Sequence, residues 1–237
     1  MKDKNREQRT KKAAAKDNNK DFSLHEIDER IYDVFCNHGF EDFPHNQRQE
    51  LSRFCELLLK AQKRLNLTRL LKLHEVALKH FIDCLIVDQL WDLKFPLADL
   101  GTGPGFPGIP LKVLYPDEKI ILVESVQKRV SYLKDIREQM GFKNLDILGR
   151  KFDPDYLYPC ASFITRALQM PIEEILLYAK PSLPSGGEVV LMKGPAVDNE
   201  NLEDIASAIH DFRLKKVIPY TLPQSNHHRR LVIYEKI

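Results

Sequence analysis

The 237-residue chain is poor in the residues that build covalent or metal-held frameworks. Its four cysteines, Cys36, Cys55, Cys84 and Cys160, lie far apart and form no Cys-x-x-Cys pair. That argues against a disulfide scaffold and against a zinc ribbon, and suits a reducing, cytoplasmic setting. No run approaches the roughly 20 apolar residues that cross a bilayer. The opening residues are Lys-rich and lack the apolar centre of a secretion signal. Neither a membrane nor a metal partner is therefore expected. Glycine is also scarce, with only ten in the chain, so any place where it gathers carries information.

Charge is nearly balanced, at a formal +2, but it is unevenly placed. Residues 1–20 hold eight Lys/Arg and three acids, and the remainder holds 28 basic and 31 acidic residues. A basic tail on a mildly acidic body points to a polyanionic partner. A solvated, disordered tail is the alternative that composition allows.

Three regions follow from the pattern: a basic tail over 1–21, a helical extension over 22–95, and an alternating strand–helix domain over 96–237. Ser23 and Glu26 form a capping-box pair, and Leu24, Ile27, Ile31, Val34 and Phe35 recur at helical spacing behind them. Gly39 closes that helix. A second helix begins near Pro44, with Leu51, Phe54, Cys55, Leu58 and Leu65 as its apolar stripe. A third spans 74–90, with Val76, Phe81, Cys84, Leu85 and Val87 inward.

The grammar changes at Pro96. Short apolar runs at 97–100, 120–123, 145–148, 162–165 and 188–192 alternate with helices near 107–115, over 126–140 and after Pro171. In the second of these helices Val126, Val130, Leu133, Ile136 and Met140 face inward, and Gly141 ends it. This alternation predicts an α/β, Rossmann-like, mostly parallel sheet covered on both faces. Residues 214–220 and 231–236 read as an antiparallel hairpin that closes it.

Four of the ten glycines fall within 101–108, in Gly-Thr-Gly-Pro-Gly-Phe-Pro-Gly. A glycine turn between strand and helix lets the backbone approach a ligand closely. Gly103-x-Gly105-x-x-Gly108 fits the dinucleotide fingerprint, but its surroundings do not suit a pyrophosphate. Asp99 would repel one, and Pro104 and Pro107 remove N–H donors. Glu124 ends the next strand, where a carboxylate can take two ribose hydroxyls; a solvated strand-end acid is its plainer reading. Acid, glycine loop and second acid form the arrangement of S-adenosylmethionine (SAM) sites.

The segment from Asp99 to Pro110, with Val123-Glu124-Ser125 and Lys128-Arg129-Val130, resembles the bacterial RsmG (GidB) family. So do Asn66-Leu67-Thr68, Lys79-His80-Phe81-x-Asp83, Thr165-Arg166-Ala167, Met192-Lys193-Gly194 and Arg230-Leu231-Val232. The resemblance covers about residues 45–237. It implies a class I SAM-dependent methyltransferase acting on a guanine N7 of small-subunit (16S) ribosomal RNA, as naked RNA or assembled subunit, and expected to work as a cytoplasmic monomer. The chain departs from the family pattern at Ala61-Gln62, at Cys160-Ala161-Ser162, and at Lys151-Phe152, where the family has a small residue and Glu beside the adenine.

The resemblance assigns the loop of Gly101, Gly103, Gly105 and Phe106 to the methionine part of SAM, and Glu124 to its ribose. Asp99 faces the SAM amino group or supports the loop. Lys151 and Phe152 lie beside the adenine, through backbone or by packing of Phe152 on the ring. Arg166, after the fourth strand, binds the SAM carboxylate or holds a guanine or phosphate; a strand-end salt bridge is its structural alternative. Lys193 lies on the same edge. Lys128, Arg129, Lys79, His80 and 227–230 are candidates for RNA contact. Cys160 follows a proline but precedes its strand, which reads as a core thiol. Guanine N7 has an exposed lone pair, so its attack on a sulfonium methyl demands no general base or metal. Three other readings remain open on sequence alone: a methyltransferase of protein or small molecules, an NAD-dependent oxidoreductase, and a non-enzymatic RNA-binding protein.

Overall fold

The computed structural model describes residues 22–65, 67, 73–194, 201–223 and 226–237. The basic tail, Asn66 and Thr68 lie outside the described residues. The chain divides into two compact units, the first ending at Ile82 and the second running Asp83–Ile237.

In the first unit, α1 spans Leu24–Asn37 and α2 spans His45–Leu65. The Ser23 side chain accepts from the Glu26 N–H while the Glu26 carboxylate takes the Ser23 N–H at 2.9 Å, so the capping box is complete. Ile27, Ile31, Val34 and Phe35 are buried at helical spacing. Leu24, the first residue of α1, is 42% exposed and lies outside this buried stripe. Arg48 clasps Asp28 with both its Nε and an Nη at 3.1 Å, tying α2 to α1. A third helical stretch starts with α3 at Leu73–Val76 and loosens into a π-helical turn over Ala77–Ile82.

The second unit opens with α4, Asp83–Leu90, which continues that stretch. The sheet strands are β1 Leu97–Leu100, β2 Ile120–Val123, β3 Leu145–Leu148, β4 Ser162–Arg166, β5 Glu188–Lys193, β6 Phe212–Thr221 and β7 His228–Lys236. Their spatial order is β3-β2-β1-β4-β5-β7-β6. The first five pair in parallel, while β7 runs antiparallel to both β5 and β6. Strands β1 and β2 are buried along their whole length, as a sheet covered on both faces requires.

The connecting helices are α5 Gly108–Leu114, α6 Gln127–Met140, α7 Ile172–Ala179 and α8 Leu202–Ile209. Gly141 caps α6 in the left-handed region at φ 67°. Val126 is the N-cap of α6 and 40% exposed, so its expected inward position is corrected: the helix stripe starts one turn later, at Val130. Helix α8 was not among the expected elements, although Asn201 caps it and Leu202, Ile205, Ala206 and Ile209 recur at helical spacing. Helix α4 is bound to the sheet side of the chain, since Trp91 just beyond it donates to Glu188 of β5 at 2.8 Å. The structural division at Asp83 therefore precedes the change of sequence grammar at Pro96 by one helix.

Candidate active site at the carboxyl edge of the sheet

The strand order reverses between β1 and β4, where open α/β sheets form a crevice beyond their carboxyl ends. The two strands are joined there by the Thr165 hydroxyl, which donates to the Leu100 carbonyl at 2.9 Å. The glycine loop leaves β1 at this point. Gly101 and Thr102 donate to the Val123 carbonyl at 2.9 and 3.1 Å, and Gly105 and Phe106 donate to the Thr102 carbonyl at 3.0 and 2.9 Å. Four of the loop's N–H groups are thus spent on shaping the loop itself.

Gly103 sits at φ 59°, and a Cβ added there would meet nothing nearer than the Gly101 carbonyl oxygen at 3.9 Å. The loop therefore presents open space at Gly103, where a ligand could lie against bare backbone. Gly108 has the opposite surroundings: a Cβ would come within 2.2 Å of Leu122 and 2.8 Å of Asp99. Glycine is needed there so that α5 can pack tightly on the sheet.

Asp99 is fully buried and accepts the Gly108 N–H on Oδ2 at 2.8 Å. Of its two expected roles, this contact serves the loop and the start of α5. Burial pushes its carboxyl up from 3.8 to about 6, against the opposing pull of Thr102, Gly108 and Arg166. Phe106 is 2% exposed, with its ring under the Arg166 guanidinium, 5.4 Å from centroid to Cζ.

Glu124 lies just past β2 and is 5% exposed. Its Oε1 accepts the Val126 N–H at 2.8 Å, and Oε2 stands 3.4 Å from Arg129 Nη1. A carboxylate has about four lone-pair sites; these two contacts leave capacity for a pair of ribose hydroxyls, so the donor set fits SAM. Arg129, expected to meet RNA or to lie on a solvated face, is instead turned towards Glu124.

Lys151 is exposed. Phe152 is buried, packing on Tyr156, Phe163 and Tyr178 with ring centroids 5.2, 5.7 and 5.9 Å away. Cys160 is enclosed in the core, and burial raises its thiol to about 12, which agrees with an inert core residue. Arg166 ends β4, and Lys193 ends β5 opposite Arg230 of β7, both half-buried. In the first unit, Lys79 pairs with Glu75 at 3.1 Å and His80 is buried.

Local patterning missed two residues at this edge. The sequence places Asp83 only within the Lys79–Asp83 motif and Tyr220 only at the end of a strand, yet Asp83 contacts Arg166 and Tyr220 contacts Asp83. Among the described residues no group of three His, Cys, Asp or Glu could hold a metal ion, and no helix is long and apolar enough to cross a membrane.

The family described as rRNA small subunit methyltransferase G, GidB, matches residues 47–232. The chain belongs to this family. The RsmG/GidB relatives include "Ribosomal RNA small subunit methyltransferase G 2" of Bdellovibrio bacteriovorus, 50% identical over 220 residues, which span 91% of this chain and 84% of that protein. "Ribosomal RNA small subunit methyltransferase G" of Lactobacillus delbrueckii subsp. bulgaricus is 34% identical, with 81% and 84% covered. Among solved structures, the ribosomal protein L11 methylase of the same Lactobacillus species superposes with a TM-score of 0.51 at 12% identity, covering 66% of this chain and 77% of that one. A methyltransferase from Pyrococcus furiosus gives 0.51 at 13% identity, covering 65% and 81%. At such identities these structures speak for the fold alone, which is the class I methyltransferase sheet. Membership of the RsmG/GidB family sets the oxidoreductase reading aside.

Proposed function

We propose that this RsmG/GidB family member transfers a methyl group from SAM to N7 of a guanine in 16S ribosomal RNA of the small subunit. Family membership carries the reading, and the carboxyl-edge geometry supports it. SAM supplies an electrophilic methyl on a cationic sulfur. The chain's own residues hold the partners in line and exclude alternatives, which is where such a reaction gains most of its rate.

In this reading Glu124 takes the ribose hydroxyls, and the loop of Gly101, Gly103 and Gly105, open at Gly103, takes the methionine part. Asp99 keeps the loop's shape, and Phe106 supports Arg166 from below. The backbone at Lys151 and Phe152 lines the adenine end. Arg166 and Lys193 stand where the target base and its phosphate enter. Lys128, Lys151 and the hairpin residues His228 and Arg230 extend a basic rim for the RNA backbone, so affinity falls steeply with salt. Residues 22–95 act as the helical extension of a catalytic domain over 96–237, and the enzyme works in the cytoplasm as a monomer.

The deciding experiment maps N7-methylguanine in small-subunit rRNA by chemical cleavage, in cells lacking the protein. One modified guanine should be lost, then restored by the wild-type gene and not by Glu124→Ala. An unchanged cleavage pattern in the deletion strain defeats the reading.

A further inference from the structure

Asp83, the first residue of α4, is 3% exposed, and three side chains from separate strands converge on it. Arg166 Nη1, from the end of β4, lies 3.4 Å from Oδ2. The Tyr220 hydroxyl, from β6, donates to Oδ1 at 3.0 Å. Arg229 Nε, from β7 and in register with Tyr220, stands 4.0 Å from the same oxygen. A carboxylate this buried is costly to keep charged unless cations and donors surround it, and these do.

The arrangement bears most directly on Arg166. Its guanidinium is held from one side by Asp83 and from below by the Phe106 ring. A planar fork fixed at two points is held in a set orientation. The residue that follows, Ala167, lies at φ 57°, a left-handed conformation uncommon outside glycine, so the chain turns sharply just past Arg166. Tyr220 stays protonated, because burial and the Asp83 charge both raise its pKa. It therefore serves as a constant donor from the antiparallel hairpin.

We infer that Asp83 and Tyr220 are positioning residues for methyl transfer: Asp83 aims Arg166 at the substrate, and Tyr220 holds Asp83 in place. The C-terminal hairpin thereby becomes part of the catalytic arrangement rather than a mere closure of the sheet. This rests on the proposed function only in taking Arg166 to touch substrate.

The test combines steady-state kinetics, unfolding and crystallography on the full chain. Asp83→Asn should lower kcat by about tenfold or more, as small misplacements of a contacting group do. Tyr220→Phe should lower it by about three- to tenfold, less than the full worth of one hydrogen bond to a charged group because its effect passes through Asp83. Tyr220→Phe deletes only a hydroxyl, and keeps the test usable should Asp83→Asn fold poorly. In an Arg166→Ala background either change should add less than about twofold, because residues acting through one partner are not additive. A crystal structure of Tyr220→Phe or Asp83→Asn should show the Arg166 guanidinium displaced from its place over Phe106. An unmoved guanidinium, or losses that multiply undiminished in the Arg166→Ala background, overturns the inference. Full turnover by Arg166→Ala would also overturn it by removing Arg166 from the reaction, while leaving the rRNA reading to be judged on Glu124→Ala.

Discussion

Asp99 and Glu124, the two acids that flank the glycine loop, lie in different electrostatic circumstances. Asp99 is enclosed, and burial lifts its pKa from 3.8 to about 6. The folded state then binds more protons than the unfolded chain between those values, so this group's contribution to stability is lost as pH rises across the window. Asp99→Asn keeps an acceptor for the Gly108 N–H and removes the titration. Urea unfolding between pH 4 and 6 should show a flatter stability profile for the variant, with about 2–3 kcal/mol of the decline gone; an unchanged profile would refute the assignment. Glu124 by contrast holds a backbone N–H and a guanidinium and has acceptor capacity to spare. Glu124→Ala should weaken SAM binding by about 10- to 100-fold by calorimetry, the worth of one or two charge-assisted hydrogen bonds, while RNA affinity is kept. The sequence pointed to both acids because each stands at the end of an apolar run. It was silent on which one would give its carboxylate to the loop's own backbone, since that depends on how α5 settles over β1.

Among the elements, those set by local rules were readable in the sequence. The capping box of α1, the glycine stop of α6 and the four-residue runs of β1, β2 and β3 depend on neighbours in the chain and lie where the pattern placed them. The exposed Val126 and Leu24 escaped because an apolar residue at a helix end fits the stripe whether or not anything covers it. Lys112 escaped for the opposite reason: it is fully buried, with Nζ donating to the carbonyls of Pro116 and Glu118 at 2.8 and 2.7 Å. No spacing rule marks a lysine that closes the turn behind its own helix. Helix α5 yields a sharp prediction. Gly108→Ala forces a methyl against Leu122 and Asp99, and thermal unfolding should report a loss of about 1–3 kcal/mol from overpacking. Gly103→Ala meets no such neighbour, so beyond the cost of its positive φ any deficit should appear in SAM affinity.

For the whole molecule, the unequal distribution of charge gives an expectation independent of the described residues. Removing residues 1–20 takes away a net +5. It should weaken RNA binding and reduce the slope of log affinity against log salt, with SAM affinity unchanged. Filter binding of the truncated and full chains to rRNA fragments over a salt series measures this, and identical slopes would show the tail to be idle.

Periodicity and glycine placement were enough to establish a parallel α/β sheet, its closing hairpin and a glycine loop after the first strand, because those features come from residues a few positions apart. The meeting of Asp83, Arg166, Tyr220 and Arg229 could come only from the folded chain. They are separated by up to 146 positions and are joined by strand order and register, and no local pattern encodes which buried carboxylate will face which guanidinium.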